Sequence, residues 1–118
     1  MTVYHAGLYM RLSKDDGAGE SASISTQRKM LRSYAKEHGF EIYREYVDDG
    51  FSGTSFQRPA WEALISDIEA RRVNLVITKD LSRLGRDYII TGQFTEIYFP
   101  AKKVRYIAIT MDMIRIVH

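Results

Sequence analysis

The chain has 118 residues, 45% hydrophobic and 27% charged, with 17 Lys and Arg against 15 Asp and Glu for a formal charge of +2. That is the composition of one compact globular domain, which at this length can bury roughly two thirds of its unfolded surface without a disulfide or metal to staple it. There is no cysteine, so neither a disulfide framework nor a thiolate metal cluster is possible, and His5, His38 and His118 are too scattered in sequence to read as a ligand set. No charged n-region leads into an apolar run, and no stretch nears the roughly 18 apolar residues of a membrane span. A cytoplasmic protein with no membrane partner is expected. The small net charge points only faintly to nucleic acid, so the placement of the charges matters more than their sum.

Val3 to Met10 is apolar and aromatic without helical spacing and runs into the polar stretch Lys14 to Ser23, which predicts a strand entering a loop. From Ile24 the positions Ile24, Leu31, Tyr34, Ala35 and His38 share one helical face, with Ser23 as N-cap and Gly39 as terminator. Phe40 to Val47 alternates, with Phe40, Ile42 and Tyr46 on one face, and breaks at Asp48-Asp49-Gly50-Phe51-Ser52-Gly53. Pro59 suits the first position of a second helix carrying Trp61, Leu64, Ile65 and Ile68. Val73 to Thr78 has the β-branched, apolar character of a strand covered on both faces. After the polar loop Lys79 to Asp87, a third helix is predicted through Ile90, Phe94, Ile97 and Tyr98, stopped by Pro100, and Val104 to Thr110 reads as a fourth strand.

The order βαβαβαβ with short connections predicts a three-layer α/β/α domain around a mainly parallel sheet. Ligands of such sheets gather at the carboxyl ends of the strands. There the chain places Arg11 and Ser13 after the first strand, Asp48, Asp49, Ser52 and Gly53 after the second, and Lys79, Ser82, Arg83 and Arg86 after the third. A serine hydroxyl needs a base or nearby cations to attack, and no histidine lies in these loops. Clustered guanidinium groups grip phosphate oxygens in pairs and stabilise the charge of phosphoryl transfer. The substrate implied is a phosphodiester.

Four stretches in order resemble the serine recombinases of the resolvase and invertase family, above all their large integrase and transposase-like members. Tyr9-Met10-Arg11-Leu12-Ser13 is similar to the family's Y-x-R-x-S, and Ser23-Ile24-Ser25-Thr26-Gln27 to its S-x-x-x-Q. Asp49-Gly50-Phe51-Ser52-Gly53 through Arg58-Pro59 resembles D-G-x-S-G…R-P, and Lys79 to Asp87 resembles K-x-L-x-R-L-G-R-D. The resemblance covers about residues 3 to 110. It implies that Ser13 attacks the scissile phosphate, leaving a 5′-phosphoserine link and a free 3′-hydroxyl. It further implies that Arg11, Arg83, Arg86 and Arg58 bind that phosphate, with Gln27, Asp49, Tyr9 and Lys79 in support. It implies chemistry without metal or other cofactor, DNA as partner, and a homo-oligomer, a dimer becoming a tetramer in the synaptic complex.

Two departures stand out. Ser82 occupies a position that is acidic in many smaller resolvases. Residues 1–110 are expected to form the catalytic domain, whereas 111–118, Met111 to His118, depart from the family's continuation into a further strand and a long pairing helix. A C-terminally truncated domain is therefore expected, either cut at a boundary or encoded so, and the isolated 118 residues are expected to cleave DNA negligibly.

Plainer explanations compete at each position. A lone serine at a strand end is usually a turn former, Arg83 and Arg86 could be a solvated face, and Lys14-Asp15-Asp16 suits a solvated loop better than a metal. Trp61 is expected in the core. Besides a recombinase domain, the alternatives are a non-catalytic assembly or regulatory fragment, and an unrelated phosphate-binding α/β domain. The last would normally show a glycine-rich phosphate loop, and none is present.

Overall fold

The computed structural model describes residues 3–12, 23–49, 58–80, 83 and 92–110, the side chain of Asp49 aside. Ser13, Ser82 and Arg86 lie outside the described residues. Four strands, β1 (His5–Leu12), β2 (Glu41–Asp49), β3 (Leu75–Thr78) and β4 (Arg105–Ala108), form one all-parallel sheet in the order β2-β1-β3-β4. Between them run α1 (Ile24–Glu37), α2 (Pro59–Glu69) and α3, a π-helical segment (Phe94–Tyr98) continued by an α-helical turn (Phe99–Ala101).

Alternation along the strands sorts the core into two layers. Ala6, Leu8 and Met10 of β1, with Leu75, Ile77 and Ile107, pack against Leu31 and Ala35 of α1. Tyr9, Tyr46 and Val76 face the other way, onto Trp61, Leu64 and Ile68 of α2 and Phe99 of α3. This is the α/β/α sandwich the element order predicts.

The helices end by one device. Each is followed by a residue in the left-handed region, Gly39 (φ 72°), Arg71 (62°) and Lys103 (57°). The next amide then reaches back five residues, Phe40 to Ala35 at 2.9 Å, Arg72 to Asp67 at 2.9 Å and Val104 to Phe99 at 2.8 Å. These bonds satisfy carbonyls at the helix ends and turn the chain into the next strand. Ser23 caps the start of α1 as expected, its hydroxyl accepting from the Thr26 amide at 3.1 Å.

Three expectations are corrected. Ala6 pairs with Ile42 but Gly7 pairs with Arg44, so Tyr43 is an extra, bulged residue in β2. The bulge inverts the alternation: Phe40 packs on the α1 side, Tyr46 on the α2 side, and Ile42 is left exposed. Pro100 does not stop the third helix but sits within its last turn. The wider π turn, in which the Phe99 amide reaches Phe94, absorbs the bond a proline cannot donate, and it rotates Ile97 to the surface (64% exposed) while Phe99 becomes the buried anchor. The last strand closes at Ala108, and Ile109 and Thr110 already have helical backbone.

At Gly7 a methyl group would stand 2.9 Å from Leu64 Cδ1, 3.0 Å from Tyr46 Cε2 and 3.3 Å from Val73 Cγ1. Gly7→Ala should therefore cost about 1–3 kcal/mol through overpacking between β1 and α2, read as a lower urea midpoint with an unchanged m-value. A pH dependence arises on the α1 face. Glu45 accepts from Arg32 at 2.5 Å and Arg28 at 3.0 Å, and although burial pushes its carboxyl up, these bonds outweigh it and hold it below the usual 4.5. The folded value is depressed, so this stabilisation is present above about pH 4.5 and disappears as pH falls through the folded value. Wild type should be more stable than Glu45→Gln at pH 6, by under about 1 kcal/mol for a surface network, and the melting temperatures of the two should converge near pH 3.

Candidate active site at the carboxyl edge of the sheet

The chain passes from β1 to β2 on one side and returns to β3 on the other, so the sheet reverses its winding between β1 and β3. A crevice opens outside their carboxyl ends at such a point. Arg11 arrives there from β1, and Lys79, Asp80 and Arg83 from the segment after β3.

The two arginines are tied to each other's main chain. Arg11 Nε donates to the carbonyl of Arg83 at 3.2 Å, and Arg83 Nη1 donates to the carbonyl of Arg11 at 2.8 Å. Both are buried, Arg11 completely. Asp80 balances part of this charge, with Oδ1 3.3 Å from Arg83 Nε and Oδ2 3.6 Å from Lys79 Nζ. Arg11, Arg83 and Lys79 thus bring clustered cations to a place of low dielectric, a setting that favours an anion.

The helices hold this pair from both faces of the sheet. Gln27 in the first turn of α1 is completely buried, its Oε1 accepting from the Arg11 amide at 3.2 Å and its Nε2 donating to the Arg11 carbonyl at 3.1 Å. On the opposite face Tyr9 donates its phenol to Asp48 at 2.9 Å and meets Trp61 edge-on at 5.1 Å between centroids. Burial above all, then the Asp48 carboxylate, pushes the Tyr9 phenol far up, while the charges of Arg58 and Arg11 pull it down. Both guanidinium groups thus lie within electrostatic reach of the Tyr9 hydroxyl. Asp49, the last residue of β2, is paired in register with Leu12, which puts its main chain beside the point where β1 leads to Ser13.

The segment after β3 is strapped down as well. Thr110 bonds the Lys79 carbonyl through its amide at 3.0 Å and its hydroxyl at 3.1 Å, and Thr78 Oγ1 donates to the Asp80 carbonyl at 2.8 Å.

Of the predicted site residues, Arg11, Arg83, Gln27 and Lys79 come together at the β1/β3 edge, and Tyr9 and Arg58 adjoin it on the α2 face. Ser13 and Arg86 fall outside the described residues. Sequence reasoning placed Asp48 at this edge without giving it a role and passed over Asp80; the first holds the start of α2 and the second pairs with Lys79 and Arg83. The signal for Asp48 was the cap position of α2, where Arg58 supplies no acceptor, so some other residue had to.

Residues 6–113 match the family described as Resolvase, N terminal domain. The chain belongs to the resolvase N-terminal domain family, the catalytic-domain class of the serine recombinases. Its fold resembles the N-terminal catalytic domain of TP901-1 integrase, with TM-score 0.80, 31% identity, and coverage of 91% of this chain and 78% of that one. A resolvase family site-specific recombinase from Streptococcus pneumoniae is similar at TM-score 0.75 and 26% identity, over 92% of this chain and 73% of that one. In sequence the chain is 33% identical over 79 residues to a putative DNA recombinase of Bacillus subtilis strain 168, 67% of this chain but 15% of that protein. It is 35% identical over 68 residues to the uncharacterized immunity region protein 3 of Bacillus phage phi105, 58% of this chain and 83% of that one. The family acts on DNA in site-specific recombination. Among the described residues no helix is long and apolar enough to cross a membrane.

Gln27→Ala removes both bonds to the Arg11 main chain and leaves a buried donor and acceptor. A loss of about 2–4 kcal/mol is expected by urea denaturation, larger than for an ordinary exposed helix position.

Proposed function

We propose that this domain cuts and rejoins DNA by transferring a scissile phosphate to Ser13. The observation that carries the reading is the Arg11–Arg83 pair, fixed at the carboxyl edge two residues before Ser13. In the forward step the Ser13 Oγ–P bond forms, the P–O3′ bond breaks, the hydroxyl proton leaves Oγ and the 3′-oxygen takes one up. The product is a 5′-phosphoserine link and a free 3′-hydroxyl. One phosphate ester is exchanged for another, so rejoining is the same step reversed and consumes no external energy source.

The arginines do the electrostatic work. Arg11 and Arg83 supply a preorganised positive field whose donors are locked by main-chain bonds, and Arg86 and Arg58 complete the grip on the phosphate oxygens. Gln27, Asp49, Tyr9 and Lys79 hold these groups in place. The activity belongs to an oligomer, a dimer that pairs into a tetramer on DNA, in the cytoplasm.

A second reading has one observation in its favour. The aligned 68 residues make up 83% of the phi105 immunity region protein, so a relative of this domain is itself short. A domain of this size acting in assembly or regulation without cleavage is the alternative.

The full-length gene product is to be incubated with nicked duplexes tiling the DNA on either side of its own gene, and covalent adducts resolved on denaturing gels. An adduct is expected with wild type, with none for Ser13→Ala. Arg86→Ala should lose the adduct by more than about a hundredfold while its circular dichroism stays unchanged. An adduct that persists in Ser13→Ala overturns the assignment of the nucleophile, and no adduct with wild type favours the non-cleaving reading.

A further inference from the structure

The first helical position of α2 is Pro59, and the N-cap is Arg58, whose side chain makes no capping bond. Serine, threonine, aspartate or asparagine would ordinarily stand there, because the first amides of a helix need an acceptor. The acceptor comes instead from another strand. Asp48, completely buried, takes the Ala60 amide on Oδ1 at 2.9 Å and the Trp61 amide on Oδ2 at 3.0 Å, and Oδ2 also takes the Tyr9 phenol at 2.9 Å. Asp48 is at the same time the β2 partner of Arg11 in the ladder.

One side chain therefore joins three elements: β2 by its backbone, α2 by two amides, and β1 through Tyr9. For stability alone, a serine at position 58 would cap the helix just as well. Moving the cap onto β2 allows a long cation at position 58 and sets that cation's backbone by the same ladder that sets Arg11. We propose that Asp48 is a positioning residue for phosphoryl transfer: its carboxylate fixes the first turn of α2, and with it Arg58, relative to Arg11 at the end of β1. The inference rests on the recombinase reading above, and it concerns geometry rather than contact with the substrate.

The test uses the adduct assay in single-turnover form with Asp48→Asn, Arg58→Ala and the double variant in the full-length protein, below their melting temperatures. In Asp48→Asn one helix amide would face an NH2 group instead of an oxygen. The rate at saturating DNA should fall at least about tenfold, since displacement by a fraction of an ångström is that costly to an oriented reaction. The half-saturating DNA concentration should stay within about twofold, and the reactive fraction should be unchanged. The double variant should be no slower than Arg58→Ala, because the two residues act through one geometry.

A purely structural role gives the opposite pattern. The reactive fraction falls with the melting temperature, the rate of the surviving fraction is unchanged, and the variant effects add; that result overturns the inference. Should Asp48→Asn not fold, Tyr9→Phe keeps both capping bonds and carries the test. A loss of about threefold or more that vanishes in the Arg58→Ala background supports the proposal, and no loss or an additive one overturns it. If wild type forms no adduct, the recombinase reading falls and this inference with it. If wild type reacts and Asp48→Asn reacts equally fast, only the inference falls.

Discussion

The bonds that Arg11 and Arg83 make to each other's carbonyls bind the carboxyl ends of β1 and β3 into one unit. A guanidinium group taken wholly out of water is costly unless hydrogen bonds and countercharge replace its hydration. Here carbonyls supply hydrogen bonds to both groups and Asp80 supplies countercharge to Arg83. Apolar residues could fill the same space without that cost. Retaining two cations in the tightest part of the edge makes sense where positive charge must be in place before an anionic substrate arrives.

That requirement reaches outward into both helical layers. The Arg11 main chain is held on one face by the Gln27 amide in the first turn of α1. On the other face its ladder partner Asp48 holds the first turn of α2. The first turn of α1 is thus bonded to the end of β1 and that of α2 to the adjoining end of β2, and the dipoles of those turns add to the positive character of the edge. At the far pole of the sheet the main-chain closures after Ala35, Asp67 and Phe99 serve only to reverse the chain.

How much of this could be read from the sequence depended on whether the cause was local. The starts of α1 and α2 were legible because Ser23 and Pro59 act on their own helices; the clustering of Arg11 and Arg83 followed from their places after strands of a parallel sheet, whereas Gln27, on a helix, was reached only through the family resemblance. The bulge at Tyr43 was hidden, because register is decided between strands, and its result was to put Phe40 and Tyr46 on opposite faces. Pro100 misled for a related reason: its helix-breaking effect assumes α geometry, and the π turn before it changes which carbonyl it meets. Asp48 read as a turn residue since its three donors come from elements 12, 13 and 39 residues away.

The proton chemistry of the edge follows from how its groups are committed. Tyr9 is held far above its ordinary value by burial and by Asp48, so at neutral pH it stays a donor and takes no proton from a nucleophile. Asp48 already accepts three hydrogen bonds, and Asp80 lies between Lys79 and Arg83. Among the described residues, His5 opens β1 and His38 ends α1, both at the amino pole of the sheet, a strand length from the crevice. Tyr9, Asp48 and Asp80 are thus committed to bonds and ion pairs that hold an arginine or a helix in position. A serine delivered there would gain its reactivity from the positive field, which lowers the free energy of the oxyanion and of the charge developing on phosphorus, rather than from a dedicated base among these side chains.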